Sequence, residues 1–97
     1  VSPQYTFGII GSHTQDTTIS GATSVTVPDN ANAVLLTART QAVCYTLDGS
    51  TPTASKGLLL EADKSSVLVP VNAGQVIQFI EAAASAKIDW QFVHLGN

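Results

Sequence analysis

The chain has 97 residues, 44% of them hydrophobic and only 11% charged, with a formal net charge of −3. That length holds one domain with a modest core. Its four basic residues, Arg39, Lys56, Lys64 and Lys87, are scattered, which excludes the clustered cationic face that a phosphate backbone or an anionic membrane requires.

Globular chains usually carry about 25% charged residues. Here Thr, Ser, Asn and Gln take their place, so either the surface is neutral and hydroxyl-rich or part of it is covered by partners, since lasting interfaces shed charge at their centres. No apolar run approaches the roughly 20 residues that span a bilayer as a helix. No basic segment leads into an apolar stretch, so no secretion signal is expected. Cys44 is the one cysteine and leaves no internal disulfide, which is compatible with synthesis in a reducing compartment.

Alternation with period two recurs along the chain, and helical periodicity is nearly absent. Tyr5-Thr6-Phe7-Gly8-Ile9 puts Tyr5, Phe7 and Ile9 on one face of a first strand. Gly11 to Ala22 is polar and turn-rich, and reads as a loop or as an arm ordered on a partner. Residues 1–22 are therefore expected to form a strand and arm that contact a neighbour. Ser24 to Val27 is a strand stopped by the turn signal Pro28-Asp29-Asn30. Ala33 to Arg39, AVLLTAR, is apolar enough to be buried on both faces over its first half. Val43, Tyr45 and Leu47 alternate with Cys44 and Thr46.

Beyond the Asp48-Gly49 turn come short strands at Gly57 to Leu60 and Val67 to Val69. Gln75 to Glu81 then places Ile77 and Phe79 on one face. Glu81 to Lys87, EAAASAK, has helical composition but is too short to stand as a helix. It reads as a small-residue crossover, or a single helical turn. Lys87 to Leu95 puts Ile88, Trp90 and Phe92 on one face, with Asp89 and Gln91 on the other. Seven to eight short strands at about ten-residue spacing predict an all-β chain, a single antiparallel β-sandwich over residues 1–97, immunoglobulin-like or jelly-roll-like.

The chemistry-bearing residues do not assemble a recognisable machine. Glu61 and Asp63 share one side of a strand end, but lack the opposing wall a glycosidase pair needs. His13, His94 and Cys44 lack metal-ligand spacing, so no metal and no cofactor are expected. Cys44 sits inside a strand, where a thiol behaves as a small hydrophobe, and not in the electropositive loop of a catalytic cysteine. No catalytic residue is expected. The aromatics fall at strand spacing and read as core, with Tyr45 and Trp90 the two suited to a rim. Tyr5, Phe7, Ile9, Trp90 and His94 are the candidate interface residues.

The run Tyr45 to Thr53, YTLDGSTPT, centres on a strong turn pair. Gly49 supplies a positive φ, Asp48 accepts from backbone N–H groups beyond it, Ser50 adds a local bond, and Pro52 stops the strand. Asp48, Gly49, Ser50 and Pro52 are thus expected to shape a turn.

This run resembles the Tyr-Thr-x-Asp-Gly-Ser-x-Pro-Thr signature of the immunoglobulin-like β-sandwich found at the C-terminus of chitobiases and many secreted glycosidases. That resemblance implies a structural turn and, for the domain, an accessory module that contacts carbohydrate or a cell surface. A second resemblance covers more of the chain. Ser24 to Ala38, Val43 to Gly57, Gln75 to Ile80 and Ala84 to Lys87 are similar, in that order, to small structural proteins of tailed bacteriophages, which usually carry Arg where this chain has Cys44. It implies a non-enzymatic virion component, in its specific form a head decoration or cement protein on the capsid surface, assembled in the host cytoplasm. Its partners would be the major capsid protein and copies of itself in a dimer or trimer, with no nucleic acid and no membrane. A tail or adaptor protein of the virion is the alternative within that class.

Overall fold

The computed structural model describes residues 6–96, the side chains of Thr6 and Phe7 excepted. Eight strands follow one another: β1 (Thr6–Asp16), β2 (Thr23–Thr26), β3 (Ala33–Arg39), β4 (Val43–Thr46), β5 (Leu58–Leu60), β6 (Val67–Pro70), β7 (Val76–Glu81) and β8 (Lys87–Gly96). They form two four-stranded sheets, ordered β1-β8-β3-β6 and β2-β7-β4-β5. All the strand pairs are antiparallel.

The pairs β1–β8, β2–β7, β3–β6 and β4–β5 nest inside one another like the rungs of one long hairpin. The pairs β3–β8 and β4–β7 are those the hairpin gains by rolling up. This is the strand order of a jelly roll, the double Greek key. Of the two sandwich types the strand rhythm allowed, the connectivity selects this one.

Parity sets the core. On β3, Val34, Leu36 and Ala38 face inward; on β8, Ile88, Trp90 and Phe92; on β7, Ile77 and Phe79; on β4, Val43 and Tyr45. Trp90 and Phe79 stack across the two sheets with ring centroids 5.4 Å apart and planes 22° from parallel. Such a pair contributes about 0.5–1.5 kcal/mol beyond its burial.

The stretch 11–22 differs from expectation, and the stretch Glu81 to Lys87 follows the crossover reading. Thr14, Gln15 and Asp16 pair with Trp90, Asp89 and Ile88, so part of the polar stretch 11–22 extends β1 past an irregularity between Ile10 and Thr14. Ile19, in the same stretch, is fully buried, and its carbonyl accepts from Glu81 N–H at 2.9 Å. An edge strand with polar side chains on both faces shows no alternation. It is held by the β8 backbone, which sequence periodicity does not register. Glu81 to Lys87 crosses between the sheets without a helix, with Ser85 at φ +73° and Ala86 fully buried.

Candidate functional site

Outward-facing residues of the β1-β8-β3-β6 sheet fall into rows across the strands. One row is apolar: Ile9, Val93, Ala33 and Pro70 stand in register. The next holds Gln91, Leu35 and Leu68. The third pairs Asp89 with Gln15 on one side and Thr37 on the other. Val93 and Ala33 are fully buried, so of the apolar row only Ile9 and Pro70 reach the surface.

At the end of the face that holds Asp89 lies a half-open depression of about 170 Å³, lined by His13, Thr37, Arg39, Ser66 and Asp89 over a floor that includes Leu35. Asp89 is only 6% exposed. Its Oδ2 accepts from Arg39 Nε at 2.8 Å, and His13 Nε2 stands 3.7 Å from the same oxygen. Its Oδ1 is buried and has no hydrogen-bond partner among the described residues. The Asp89 hydrogen bond and charge raise the Arg39 guanidinium above its ordinary value. The hydroxyls of Thr37 and Ser66 lie 2.6 Å apart and bond each other. Asp89 Oδ2 thus stands between the Arg39 guanidinium and the His13 imidazole, and the depression around it offers polar anchors.

Sequence reasoning did not single out Arg39 and Asp89 as a pair. The available signal was an acid on the outward parity of an otherwise apolar strand, with an arginine ending the other strand that runs apolar on both faces. Only the register Arg39↔Lys87 and Thr37↔Asp89 brings them together.

The expected turn lies at the far sheet. Gly49 takes φ +83°. Asp48 Oδ1 accepts from Ser50 N–H at 3.0 Å and from Ser50 Oγ at 2.6 Å. Those two bonds hold the Asp48 carboxyl below its ordinary value of 3.8. Gln78 Nε2 donates to the Gly49 carbonyl at 2.8 Å, and Thr46 Oγ1 donates to the Ser50 carbonyl at 2.5 Å, so the turn is tied to β7 and β4. Pro52 is fully buried. The chain beyond it covers Cys44, whose thiol donates to the Ala54 carbonyl at 3.5 Å. Burial raises the Tyr45 hydroxyl above its ordinary value.

The candidate interface residues part company. Trp90 is 8% exposed and locked against Phe79, so it is core and not interface, because its parity on β8 points it between the sheets. Tyr45 is likewise buried and forms no rim. Ile9 is 58% exposed on the outward face of edge strand β1. His94 continues the Trp90 and Phe92 face past the end of the core, is exposed, and has Nδ1 2.7 Å from the Asn30 carbonyl. Phe7 stands opposite Leu95 in the β1–β8 ladder. Tyr5 lies outside the described residues.

The apolar surface that sequence reasoning missed is on β5 and β6. Among the described residues five large hydrophobics are exposed, and four of them are Leu58, Leu59, Val67 and Leu68. β5 and β6 are the edge strands of their two sheets. The sheet orders run in step, so both edges border the same side of the sandwich. In sequence, LLL and VLV read as ordinary buried strands; nothing local reveals that a strand ends up at an edge.

Among the described residues no three His, Cys, Asp or Glu side chains converge as metal ligands would. No family model, curated protein or solved structure matches the chain.

Proposed function

We propose that the chain is a non-enzymatic structural protein of a tailed-bacteriophage virion, in its specific form a head decoration or cement protein that binds the outer capsid surface and bridges capsid subunits. The observation that carries this reading is the leucine- and valine-rich edge pair, β5 and β6, on a small sandwich with few charges. Four exposed large hydrophobics along one side are more than a free monomer needs and suit a surface that is covered in use. The resemblance of the segment order to that of phage structural proteins favours the same reading. The jelly roll itself hosts coat proteins and lectins alike, so it does not discriminate between them.

Cementing needs no chemistry. A protein that binds the assembled shell and not its loosened form stabilises the shell by mass action, by about 2.7 kcal/mol per site at a hundredfold excess over its dissociation constant. Repetition over many equivalent sites multiplies weak contacts. The glycan-binding alternative loses its aromatic platform, since Trp90 and Tyr45 are buried.

The test is rupture of particles made without the protein. Heated or osmotically shocked, such shells should release DNA at milder conditions than complete particles. Adding the purified chain back should restore the difference. Equal rupture in the presence and absence of the chain would refute cementing.

A further inference from the structure

The sandwich has four edge strands, and three of them carry a guard against pairing with another chain. β1 is broken by the irregularity between Ile10 and Thr14, with Gly11 at φ +73°. β6 ends in Pro70, which has no N–H to donate. β2 is mostly Thr and Ser, and Pro28 follows shortly. Bulges, prolines and polar side chains are the usual devices that keep edges apart.

β5 has no bulge, proline or polar side chain, and only its length of three residues limits pairing. It is three consecutive leucines without charge, proline or bulge, and Leu58 and Leu59 are 51% and 61% exposed. β4 pairs with it on one side only. The charges that flank it are of opposite sign. Lys56 stands before the strand, its backbone fixed by paired bonds to Thr53 at 3.0 and 3.1 Å, and Glu61 follows immediately after it. Both side chains are exposed, and neither joins an ion pair among the described residues.

An edge with a positive charge at one end and a negative charge at the other is complementary to itself when turned around. We infer that β5 pairs antiparallel with β5 of a second copy of this chain across a two-fold axis, joining two four-stranded sheets into one of eight strands. Leu59 packs near the axis against Leu59 of the other copy, and Lys56 of each copy meets the Glu61 end of the other. A two-fold contact of this kind uses the same patch twice and closes on itself. The inference does not depend on the virion reading. It is a property of the isolated chain, and it would hold for a protein of any function.

The experiment is sedimentation velocity over a concentration series, with Lys56→Glu, Glu61→Lys, the double charge swap and Leu59→Lys. The unaltered chain should sediment as a dimer. Leu59→Lys should be a folded monomer with the circular-dichroism spectrum of the unaltered chain, since within one copy that side chain stands in solvent, and it should lose any dependence of melting temperature on protein concentration. Each single charge variant makes both end contacts repulsive and should raise the dissociation constant about tenfold at low salt. The double swap should restore it. A mixture of the two single variants should form heterodimers in preference to either homodimer, because both end contacts are then attractive. Salt near 1 M should erase these differences.

A monomer at all concentrations would overturn the inference. So would a dimer indifferent to Leu59, Lys56 and Glu61, which would place the contact on another surface. A monomer whose particle binding is lost in Leu59→Lys would also overturn it, and would assign the edge to a strand of a different protein.

Discussion

At the scale of single residues, two glycines separate strain from close approach. Gly49 sits at φ +83°, and a Cβ built there would meet Val76 Cβ at an ordinary 3.7 Å. Gly49→Ala should therefore cost about 1 kcal/mol and Gly49→Val up to about 3, through backbone strain alone. Gly57 sits at φ +134°, and a Cβ there would lie 3.0 Å from the Tyr45 carbonyl oxygen and 3.4 Å from its nitrogen, both in the β4 backbone. Gly57→Ala should cost more than Gly49→Ala, about 3 kcal/mol; denaturant melts of the two variants give the ranking, and equal costs would contradict it. Asp48 has a lowered carboxyl value, so its bonds contribute stability in full above the ordinary value of 3.8 and lose it as pH falls through the lower folded value. Ser50→Ala removes the larger cause and leaves the backbone N–H bond. The Asp48 titration, followed by NMR, should then move up toward the ordinary value; an unmoved titration would show that the hydroxyl does not hold it. The turn was legible in the sequence because Asp, Gly, Ser and Pro act locally, each through its own backbone. The Asp89–Arg39 pair was not, because 50 residues separate its members and only sheet register unites them.

At the scale of elements, seven to eight strands were legible as alternation and short apolar runs, and their order in the sheets was not. Alternation reports a strand and its two faces, whereas pairing is decided by which faces can be buried together. β1 shows the gap most clearly. Its second half reads as polar loop, yet Thr14 to Asp16 are laddered to β8. Deleting residues 1–12 should therefore do more than trim a terminus. It removes the pairing of Thr6 through Ile10 with β8 and opens the long edge of an apolar strand. The truncated chain should melt at a lower temperature and self-associate on size-exclusion chromatography. A monodisperse product with an unchanged melting temperature would mean that this half of β1 contributes little to the sandwich. The crossover at Glu81 to Lys87 follows the opposite pattern. Its small residues were evident in sequence, and their purpose, letting the chain pass between sheets with Ala86 in the core, became clear only with the topology.

At the scale of the whole molecule, low charge and exposed apolar edges fit a protein that spends its life covered. The charge-poor composition was readable from the first, and it raised the question of a partner without saying where one would sit. Among the described residues, four of the five exposed large hydrophobics lie on the side bordered by β5 and β6, with Ile9 a separate exposed position on β1, and the proposed function puts its partner on that side. A dimer through β5 would cover Leu58 and Leu59 and leave Val67 and Leu68 on β6, with Ile9 on β1, for a shell. The measurement that tests this account most directly is the copy number of the chain in purified extracellular phage particles, by quantitative mass spectrometry against the most abundant shell protein. The decoration reading predicts a count within a few-fold of that protein. A few dozen copies or fewer would contradict decoration and place the chain at the tail or a vertex, and absence from the particles would contradict a virion role altogether.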